Sequence, residues 1–242
     1  MVSKNQIKLI TSLTQKKYRK QHNLFIAEGA KVISEFLDSS FELDTVFFID
    51  DTFPKVDIAK KVSITIDELN KISALTTPNN SLAIFKIPKQ KELNVNGLIV
   101  ALDNVRDPGN FGTIVRLCDW FGITQLVCTE ETVDQYNPKV IQATMGSLSR
   151  VNVVYTNLVE FIKKTSLPVY GTFMDGDNIY KEYLAEEGIV VLGNEANGIS
   201  KEIENLVTQK ISIPRFGDIK KTESLNVATA TAIVLSEFRR NY

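Results

Sequence analysis

The sequence predicts a two-domain α/β protein, in which a small N-terminal α/β unit precedes a larger domain built on a mostly parallel sheet. Two observations indicate this class. A polar, turn-rich stretch at residues 88–96 divides the chain, as expected of a linker between domains. After it, short continuous apolar runs alternate with helical patterns, which is typical of parallel strands covered on both faces. We place the boundary between residues 92 and 93.

The elements before the linker follow from hydrophobic periodicity and from capping residues. An early helix carries Ile7, Ile10, Leu13 and Thr14 on one face, and Ala30–Leu37 is predicted to be a second helix with a buried stripe. The remaining elements are strands at Thr45–Ile49 and Val62–Ile66, a helix that Asp67 caps and that runs to Leu75, and a last strand at Ser81–Ile87.

Six apolar runs predict the strands of the second domain: Leu98–Leu102, Gln125–Cys128, Val151–Tyr155, Val169–Thr172, Ile189–Leu192 and Lys210–Ile213. Helices are predicted between them, and a long helix follows from about Leu225 to Arg239. In parallel sheets the ligand lies at the carboxyl ends of the strands, in the loops that follow. The most informative polar and glycine-containing motifs of this sequence fall in those loops.

The composition excludes several kinds of protein. A hydrophobic fraction of 43% and a charged fraction of 24% indicate an ordinary globular chain rather than a disordered one. No apolar run is long enough to cross a bilayer. The first residues lack the apolar segment of a signal peptide, so we expect a cytoplasmic protein without a membrane partner.

The cysteine and histidine counts argue against a metal site. Cys118 and Cys128 do not form a CxxC pair, so we expect two reduced thiols and no zinc. The single histidine, His22, excludes a His-rich metal site and an HExxH motif. A Ser-His-Asp triad would have to be built on His22, far from any nucleophile elbow.

The charge is unevenly distributed along the chain. Residues 1–93 have a net charge of +3 and residues 94–242 a net charge of −4, which together give the −1 of the whole chain. The basic residues that precede the first acid, Glu28, are Lys4, Lys8, Lys16, Lys17, Arg19 and Lys20. Such a segment favours a polyanion such as nucleic acid, and a solvated helix face is the alternative.

The first informative loop, Asp107–Arg116, follows the strand Leu98–Leu102. Asn110 is predicted to cap the next helix. A long helical side chain lies over the preceding turn, so we expect the Arg116 guanidinium to meet Asn110. This arrangement suits a phosphate or a ribose hydroxyl. A capped helix with a surface arginine is the alternative, and the absence of a GxGxxG or Walker loop disfavours a dinucleotide oxidoreductase.

The second loop, Gly193–Gly198, follows the strand Ile189–Leu192, and a helix is predicted to begin near Ser200. Gly193 permits a close backbone approach to a ligand. Glu195 places an acid at the carboxyl end of the strand. A polar turn whose glutamate favours the helix dipole is the alternative.

The third loop, Ile213–Asn226, leads from the last strand to the long helix. Ser224 and Asn226 are good capping residues. The small residues at 228–232 allow a neighbouring backbone to pack closely against that helix.

The three loops together resemble one family. In order, they read Asp-Pro-Gly-Asn-Phe-Gly…Arg, Gly-Asn-Glu-Ala-Asn-Gly and Ile-Pro…Ser-Leu-Asn-Val-Ala, which is similar to the SpoU (TrmH) RNA 2′-O-ribose methyltransferases of the SPOUT superfamily. The triple covers most of residues 98–240. More loosely, Lys17–Gly29 resembles the start of the substrate-binding domain of the rRNA-directed branch. The resemblance thus implies an RNA substrate-binding domain at residues 1–92 and a SPOUT methyltransferase domain at 93–242.

This resemblance implies a trefoil knot in the second domain, a homodimer and the cofactor S-adenosylmethionine (AdoMet). The cofactor would be bound mainly through the backbone of Gly193, Ile213 and Leu225, with Thr172 nearby. The implied catalytic set is Asn110, Arg116, Glu195, Ser224 and Asn226. Residues 215–223 form a longer span than the family pattern leads us to expect, which bears on the position of Leu225.

The resemblance implies methyl transfer from AdoMet to a ribose 2′-hydroxyl of structured RNA, with 23S rRNA favoured over tRNA. Candidate RNA contacts are Lys17, Arg19 and His22. The proton acceptor stays open: Arg116 is the base that the family suggests, but arginine is ordinarily protonated, so it could instead hold phosphate or the forming alkoxide. The alternatives are a catalytically silent RNA-binding relative and a structural protein in which each motif only caps a helix.

Overall fold

A computed structural model describes residues 1–216 and 224–241 of the chain. These residues form two compact units, Met1–Gln90 with Asp134–Ser149, and Lys91–Val133 with Arg150–Tyr242. We call them unit 1 and unit 2. The first boundary lies inside the linker predicted at residues 88–96. Residues 134–149, which the sequence boundary assigned to the second domain, fold with unit 1 instead.

Unit 1 contains a mixed sheet in the order β1-β4-β2-β3, with β2 and β3 parallel and the other pairs antiparallel. Its strands are β1 (Leu24–Glu28), β2 (Leu43–Phe48), β3 (Lys61–Ser63) and β4 (Ser81–Lys86). Its helices are α1 (Lys4–Ser12), α2 (Lys16–His22), α3 (Ala30–Leu37), α4 (Ile66–Ile72) and, later in the chain, α6 (Pro138–Thr144).

The start of α4 differs from the prediction because a capping box sets it. The Thr65 side chain accepts a hydrogen bond from the Glu68 backbone, and the Glu68 carboxylate accepts one from the Thr65 N–H. Thr65, and not Asp67, is therefore the N-cap residue, and the strand predicted to reach Ile66 ends at Ser63. By contrast, α3 has the bounds expected from its apolar stripe.

Arg19 joins residues 134–149 to the rest of unit 1. Its side chain is 2% exposed and forms an ion pair with Asp134. The guanidinium also donates hydrogen bonds to the Leu13 carbonyl at 2.8 Å and the Thr14 carbonyl at 2.9 Å. Beside it, the ring of Tyr136 packs against Phe25 with centroids 4.9 Å apart. A buried charge needs such partners, so Asp134 and the two carbonyls stabilise Arg19 in the interior.

Unit 2 contains a six-stranded, all-parallel sheet in the order β10-β8-β9-β5-β6-β7. The strands are β5 (Leu98–Leu102), β6 (Gln125–Cys128), β7 (Asn152–Tyr155), β8 (Val169–Asn178), β9 (Gly188–Leu192) and β10 (Gln209–Ser212). The helices are α5 (Pro108–Trp120), α7 (Leu158–Lys163), α8 (Lys201–Glu204) and α9 (Val227–Phe238). The mostly parallel sheet predicted for this part of the chain is confirmed.

The central strands β5 and β9 are buried at every position, which explains why their continuous apolar runs predicted them well. Strand β8 extends six residues beyond the predicted end at Thr172, because its outer half pairs with β10 across an irregularity between Lys210 and Ile211. Ile213 therefore lies in the loop after β10 and not in the strand.

Cys118 and Cys128 are free and buried, and burial raises the pKa of both thiols above the ordinary value.

Within residues 1–216 and 224–241, no helix has the length and apolar character needed to span a membrane.

We expect Arg19→Ala to lower the free energy of unfolding by about 3–5 kcal/mol, because the change leaves Asp134 without its partner. Urea titrations followed by circular dichroism measure this difference. Lys20→Ala is the matched control, since Lys20 is exposed on the same helix, and its effect should stay within about 0.5 kcal/mol. Equal stabilities of the two variants would contradict the role assigned to Arg19.

Candidate active site

The described parts of the three informative loops of unit 2 lie along one edge of its sheet; residues 217–223 of the third loop lie outside the described residues. Strand β9 pairs in parallel with both β5 and β8, and β8 pairs in parallel with β10. The carboxyl ends of these strands therefore face the same way, and the loops that follow them are neighbours. Motifs far apart in sequence meet there through direct hydrogen bonds.

The first loop begins α5 differently from the prediction. Asp107 is the N-cap residue, and its Oδ1 accepts a hydrogen bond from the Asn110 N–H at 2.7 Å. Pro108 follows at the first helical position, where its fixed φ suits a helix start. The prediction that Asn110 is the N-cap was wrong, because the Asp-Pro pair supplies the cap. The Asn110 side chain is thereby available to the other loops.

Asn226 and Asn110 link the third loop to the second. Asn226 caps α9 through its Oδ1, which accepts from the backbone N–H groups of Ala228 and Thr229. Its Nδ2 then donates to Asn110 Oδ1 at 2.9 Å. With its oxygen engaged, Asn110 turns its Nδ2 to Glu195 and donates to Oε1 at 2.9 Å. The helix cap thus determines the orientation of both amides and the position of the carboxylate.

Arg116 does not join this network, contrary to the prediction that it meets Asn110. The Asn110 amide bonds instead to Asn226 and Glu195. In the described part of the chain, Arg116 is exposed and makes no hydrogen bond or ion pair. It therefore presents a solvent-facing cation on α5, the helix that carries Asn110.

Asn194 holds the second loop in shape, a role that the sequence analysis missed. Its Oδ1 accepts from the N–H groups of Ala196 and Asn197, and its Nδ2 donates to the Asn104 carbonyl at 2.7 Å. The backbones of Asn194 and Gly198 exchange hydrogen bonds of 3.0 and 2.8 Å. The Gly-Asn pair was the available signal, because asparagine side chains commonly close turns of this kind.

Gly193 is required by the loop itself. A Cβ at this position would lie 2.1 Å from the Gly198 carbonyl carbon and 2.2 Å from the Ile199 nitrogen. The backbone that approaches Gly193 closely is therefore that of its own loop, whereas a ligand was expected there from the sequence.

After Asn194, a second residue that the sequence did not reveal is the buried Asp103. Its carboxylate accepts a hydrogen bond from the Ser200 N–H at 2.7 Å and supports the start of α8.

A cleft of about 1030 Å³ opens beside these loops. All four predicted cofactor contacts line it: Thr172, Gly193, Ile213 and Leu225. Of the predicted catalytic set, Glu195 and Ser224 line the cleft, and Asn110 and Asn226 reach it through Glu195. The Thr172 hydroxyl is already engaged, since it donates to the Val191 carbonyl at 3.2 Å.

The predicted RNA contacts all lie on α2 in unit 1. Lys17 and His22 are exposed, and both lie close to the ring of Tyr18. Arg19 differs from the prediction that it contacts RNA, because its ion pair with Asp134 and its hydrogen bonds to two carbonyls hold the guanidinium inside unit 1.

Among residues 1–216 and 224–241, no group of three or more His, Cys, Asp and Glu side chains is arranged to hold a metal ion.

The parallel sheet, with its cleft at the carboxyl edge, defines a ligand-binding α/β protein. Two family models match the chain: the SpoU rRNA Methylase family over residues 97–236 and the MRM3-like substrate binding domain over residues 4–83. The chain therefore belongs to the SpoU rRNA methylase family. The family predicted from the three loops is confirmed, and with it the assignment to RNA methyltransferases.

Two relatives differ in how much of their length this chain covers. The chain is 29% identical to the 23S rRNA (guanosine(2553)-2′-O)-methyltransferase RlmP of Bacillus subtilis, over 98% of this chain and 97% of that protein. It is 30% identical to the mitochondrial rRNA methyltransferase 3 of Xenopus laevis, over 61% of this chain and 38% of that protein. The chain thus matches well under half of the length of the mitochondrial relative.

Solved structures share the whole fold. A protein from Porphyromonas gingivalis that is assigned to the TrmH family is 38% identical, with a TM-score of 0.91 and complete coverage of both chains. An AdoMet-bound rRNA methyltransferase from Sinorhizobium meliloti is 28% identical, with a TM-score of 0.86 over 99% of this chain and 97% of that one. The fold class expected from the sequence is thereby confirmed.

We expect Gly193→Ala to lower the free energy of unfolding by about 1–3 kcal/mol, because the added methyl group must push the Gly198–Ile199 backbone away. Urea titration measures the effect. Gly109→Ala is a suitable control, since Gly109 lies in α5 and its added Cβ would meet only the Asp107 side chain at 3.1 Å. A Gly193 variant as stable as the Gly109 variant would contradict the packing argument.

Proposed function

We propose that this protein transfers a methyl group from AdoMet to a ribose 2′-hydroxyl of structured RNA, with 23S rRNA as the favoured substrate. One observation carries the proposal. Hydrogen bonds from Asn226 to Asn110 and from Asn110 to Glu195 join the three family motifs beside one cleft. Separate capping roles would explain each motif alone, but they would not require side chains from the three loops to bond to each other.

The cleft fits AdoMet in size and chemistry. Its volume of about 1030 Å³ is sufficient, since small-molecule sites occupy roughly 300–1,000 Å³. Ile213 and Leu225 offer apolar contact for an adenosine moiety, and loops at the carboxyl ends of strands offer backbone groups. Glu195 adds a carboxylate that suits a substrate hydroxyl. Bound there, AdoMet would supply an electrophilic methyl group.

Glu195 is our candidate for the group that accepts the hydroxyl proton. Its Oε1 is held by Asn110, and within the described residues the carboxylate makes no other hydrogen bond. Its Oε2 is therefore available to a ribose 2′-hydroxyl. When the hydroxyl oxygen attacks the methyl carbon, the carbon–sulfur bond of the cofactor would break with its electron pair going to sulfur, and the carboxylate would receive the hydroxyl proton. Asn226 and Asn110 act as positioning residues in this scheme.

Arg116 is assigned to the RNA and not to proton removal. Arginine stays protonated in proteins, and this guanidinium is exposed on the helix that carries Asn110. A solvent-facing cation on this helix suits the phosphate next to the target ribose, or the negative charge that develops on the hydroxyl oxygen. Ser224 lines the same cleft and is proposed to contact the substrate or cofactor there.

Unit 1 is proposed to bind the structured part of the RNA through α2. Lys17 and His22 flank the half-buried Tyr18 on this helix. Cations beside an aromatic ring suit both the phosphate backbone and an unpaired base. Lys20 is exposed on the same helix and joins the proposed set in place of Arg19.

The same family membership leads us to propose a homodimer, a trefoil knot in unit 2 and a cytoplasmic location. Trp120 supports the dimer, because its side chain is 84% exposed at the end of α5. Large aromatic side chains so exposed are enriched at protein interfaces. Sedimentation equilibrium tests the dimer.

We expect the purified protein to transfer labelled methyl groups from AdoMet to rRNA isolated from cells that lack the gene. Glu195→Gln should reduce kcat by roughly 10²–10⁴-fold, because the amide cannot take the proton, while calorimetry should give an AdoMet Kd close to that of the wild type. Arg116→Ala should raise the KM for RNA, and Arg116→Lys should restore part of the loss.

Four outcomes would contradict these assignments. Absence of methyl transfer by the wild type to any RNA would overturn the proposed function, and transfer to tRNA alone would overturn the rRNA assignment. An unchanged rate in Glu195→Gln would exclude the carboxylate as proton acceptor. A pH–rate profile in which Arg116→Lys shifts the apparent pKa of the reaction would return the base role to Arg116.

We expect Lys17→Ala and Lys20→Ala each to weaken RNA binding similarly for all sequences, because lysine contacts with phosphate carry no base information. Each change should reduce the slope of log Kd against log salt by about 1. Filter binding over a range of salt concentrations measures this. Lys31→Ala, at an exposed position on α3, is the control, and an equal loss with this variant would argue against α2 as the RNA surface.

A further inference from the structure

The rim of the cleft carries apolar side chains that water contacts. Phe216 is 82% exposed, Met174 is 51% exposed and Leu225 is 48% exposed, and all three line the cleft. Exposed apolar side chains grouped at a concave site mark a surface that a ligand covers. These three residues therefore point to occupancy of the outer cleft as well as its interior.

The size of the cleft leaves room for a second occupant. Its volume of about 1030 Å³ lies at the upper end of the range of roughly 300–1,000 Å³ for a single small-molecule site. If AdoMet occupies the part lined by Gly193 and Ile213, space is left towards the open side. A nucleotide brought to Glu195 would enter this space, since Glu195 lines the same cleft.

We propose that Phe216 is the platform on which the base of the methylated nucleotide stacks. This inference rests on the proposed function and names a specific contact for its substrate. Proteins that act on single nucleotides of RNA commonly take the base out of its stack and hold it against an aromatic ring. Phe216 can accept a base, because its ring is almost fully open to solvent at the rim of the cleft.

Phe173, the other aromatic residue among the described lining residues, is not equivalent. It is half-buried, and the Lys210 ammonium lies 4.6 Å from the centre of its ring. One face of Phe173 is therefore already covered by a cation within unit 2. This leaves Phe216 as the ring that an incoming base can meet.

The exposure of Phe216 favours a base of the RNA over the adenine of the cofactor. Gly193 is buried and Ile213 is half-buried, so these two proposed cofactor contacts lie deeper than the ring of Phe216, whereas the third, Leu225, lies at the rim. A substrate that enters from solvent meets the rim first. Stacking on a phenyl ring is tolerant of base identity, so Phe216 is expected to position the nucleotide without selecting its base.

The kinetic test compares Phe216→Ala with Phe216→Tyr. Loss of one stacking contact should lower kcat/KM for RNA by roughly 5- to 150-fold in Phe216→Ala, and Phe216→Tyr should retain most of the activity. The AdoMet Kd from calorimetry should change less than about two-fold in both variants, because the ring is not assigned to the cofactor. Tyr183→Ala is the matched control, since Tyr183 is 85% exposed and does not line the cleft.

Three kinetic results would overturn the proposal. An AdoMet Kd weakened as much as kcat/KM would place the ring against the cofactor. An unchanged kcat/KM in Phe216→Ala, or an equal loss in Tyr183→Ala, would remove the stacking role.

A fluorescence measurement tests the contact without requiring methyl transfer. Trp120 is the one tryptophan of the sequence, so Phe216→Trp combined with Trp120→Phe leaves a single indole at the cleft rim. We expect RNA to quench this fluorescence through base stacking, and AdoMet alone to leave it nearly unchanged. Quenching by AdoMet alone, or none with saturating RNA, would contradict the proposal. If the wild type transfers no methyl group but RNA still quenches the indole, the proposed function fails while the stacking contact stands.

Discussion

Strands β5, β8, β9 and β10 run parallel, and their carboxyl ends therefore lie along one edge of the sheet in unit 2. This constraint brings together loops that are far apart in the sequence, such as those of Asn110 and Asn226, which are 116 positions apart and directly hydrogen-bonded. No local preference of either loop could produce that contact. The buried apolar strands produce it, because they can satisfy their backbone groups only by pairing within a covered sheet. The chemistry of the site thus depends on the hydrophobic core beneath it.

The capping role of Asn226 does not compete with the positioning role that we propose for it. Asn226 uses its oxygen to cap α9 and its nitrogen to orient Asn110, so one side chain performs both tasks. The cap makes the orientation of the amide definite, because reversing it would place an N–H₂ group against two backbone donors. Asn110, oriented in this way, in turn holds the Glu195 carboxylate through a hydrogen bond. A helix start is a rigid place from which to position an acid.

The sequence predicted best where a residue's role depends on its immediate neighbours or on a continuous buried run. Helix α3 and strands β5 and β6 have the predicted bounds, because apolar periodicity and burial specify them locally. It predicted less well where the partner is distant. The outer half of β8 depends on β10, Arg19 is buried because Asp134 lies beside it, and Asn110 bonds to Asn226 and Glu195 instead of Arg116. Residues of the site were identified through a resemblance in three motifs, whereas Asn194, Asp103 and Phe216 needed the three-dimensional arrangement.

The placement of residues 134–149 has a consequence for how the chain folds as it is made. Unit 1 is discontinuous, since it contains Met1–Gln90 and Asp134–Ser149, and Arg19 waits for Asp134 as its partner. Domains usually fold as units during synthesis, the N-terminal one first. Here the ribosome must first release residues 91–133, which belong to unit 2, before unit 1 has all its parts. While residues 91–133 are being made, the N-terminal segment therefore carries Arg19 without its ion-pair partner and an incomplete aromatic core. At this stage of synthesis the segment would depend most on chaperones.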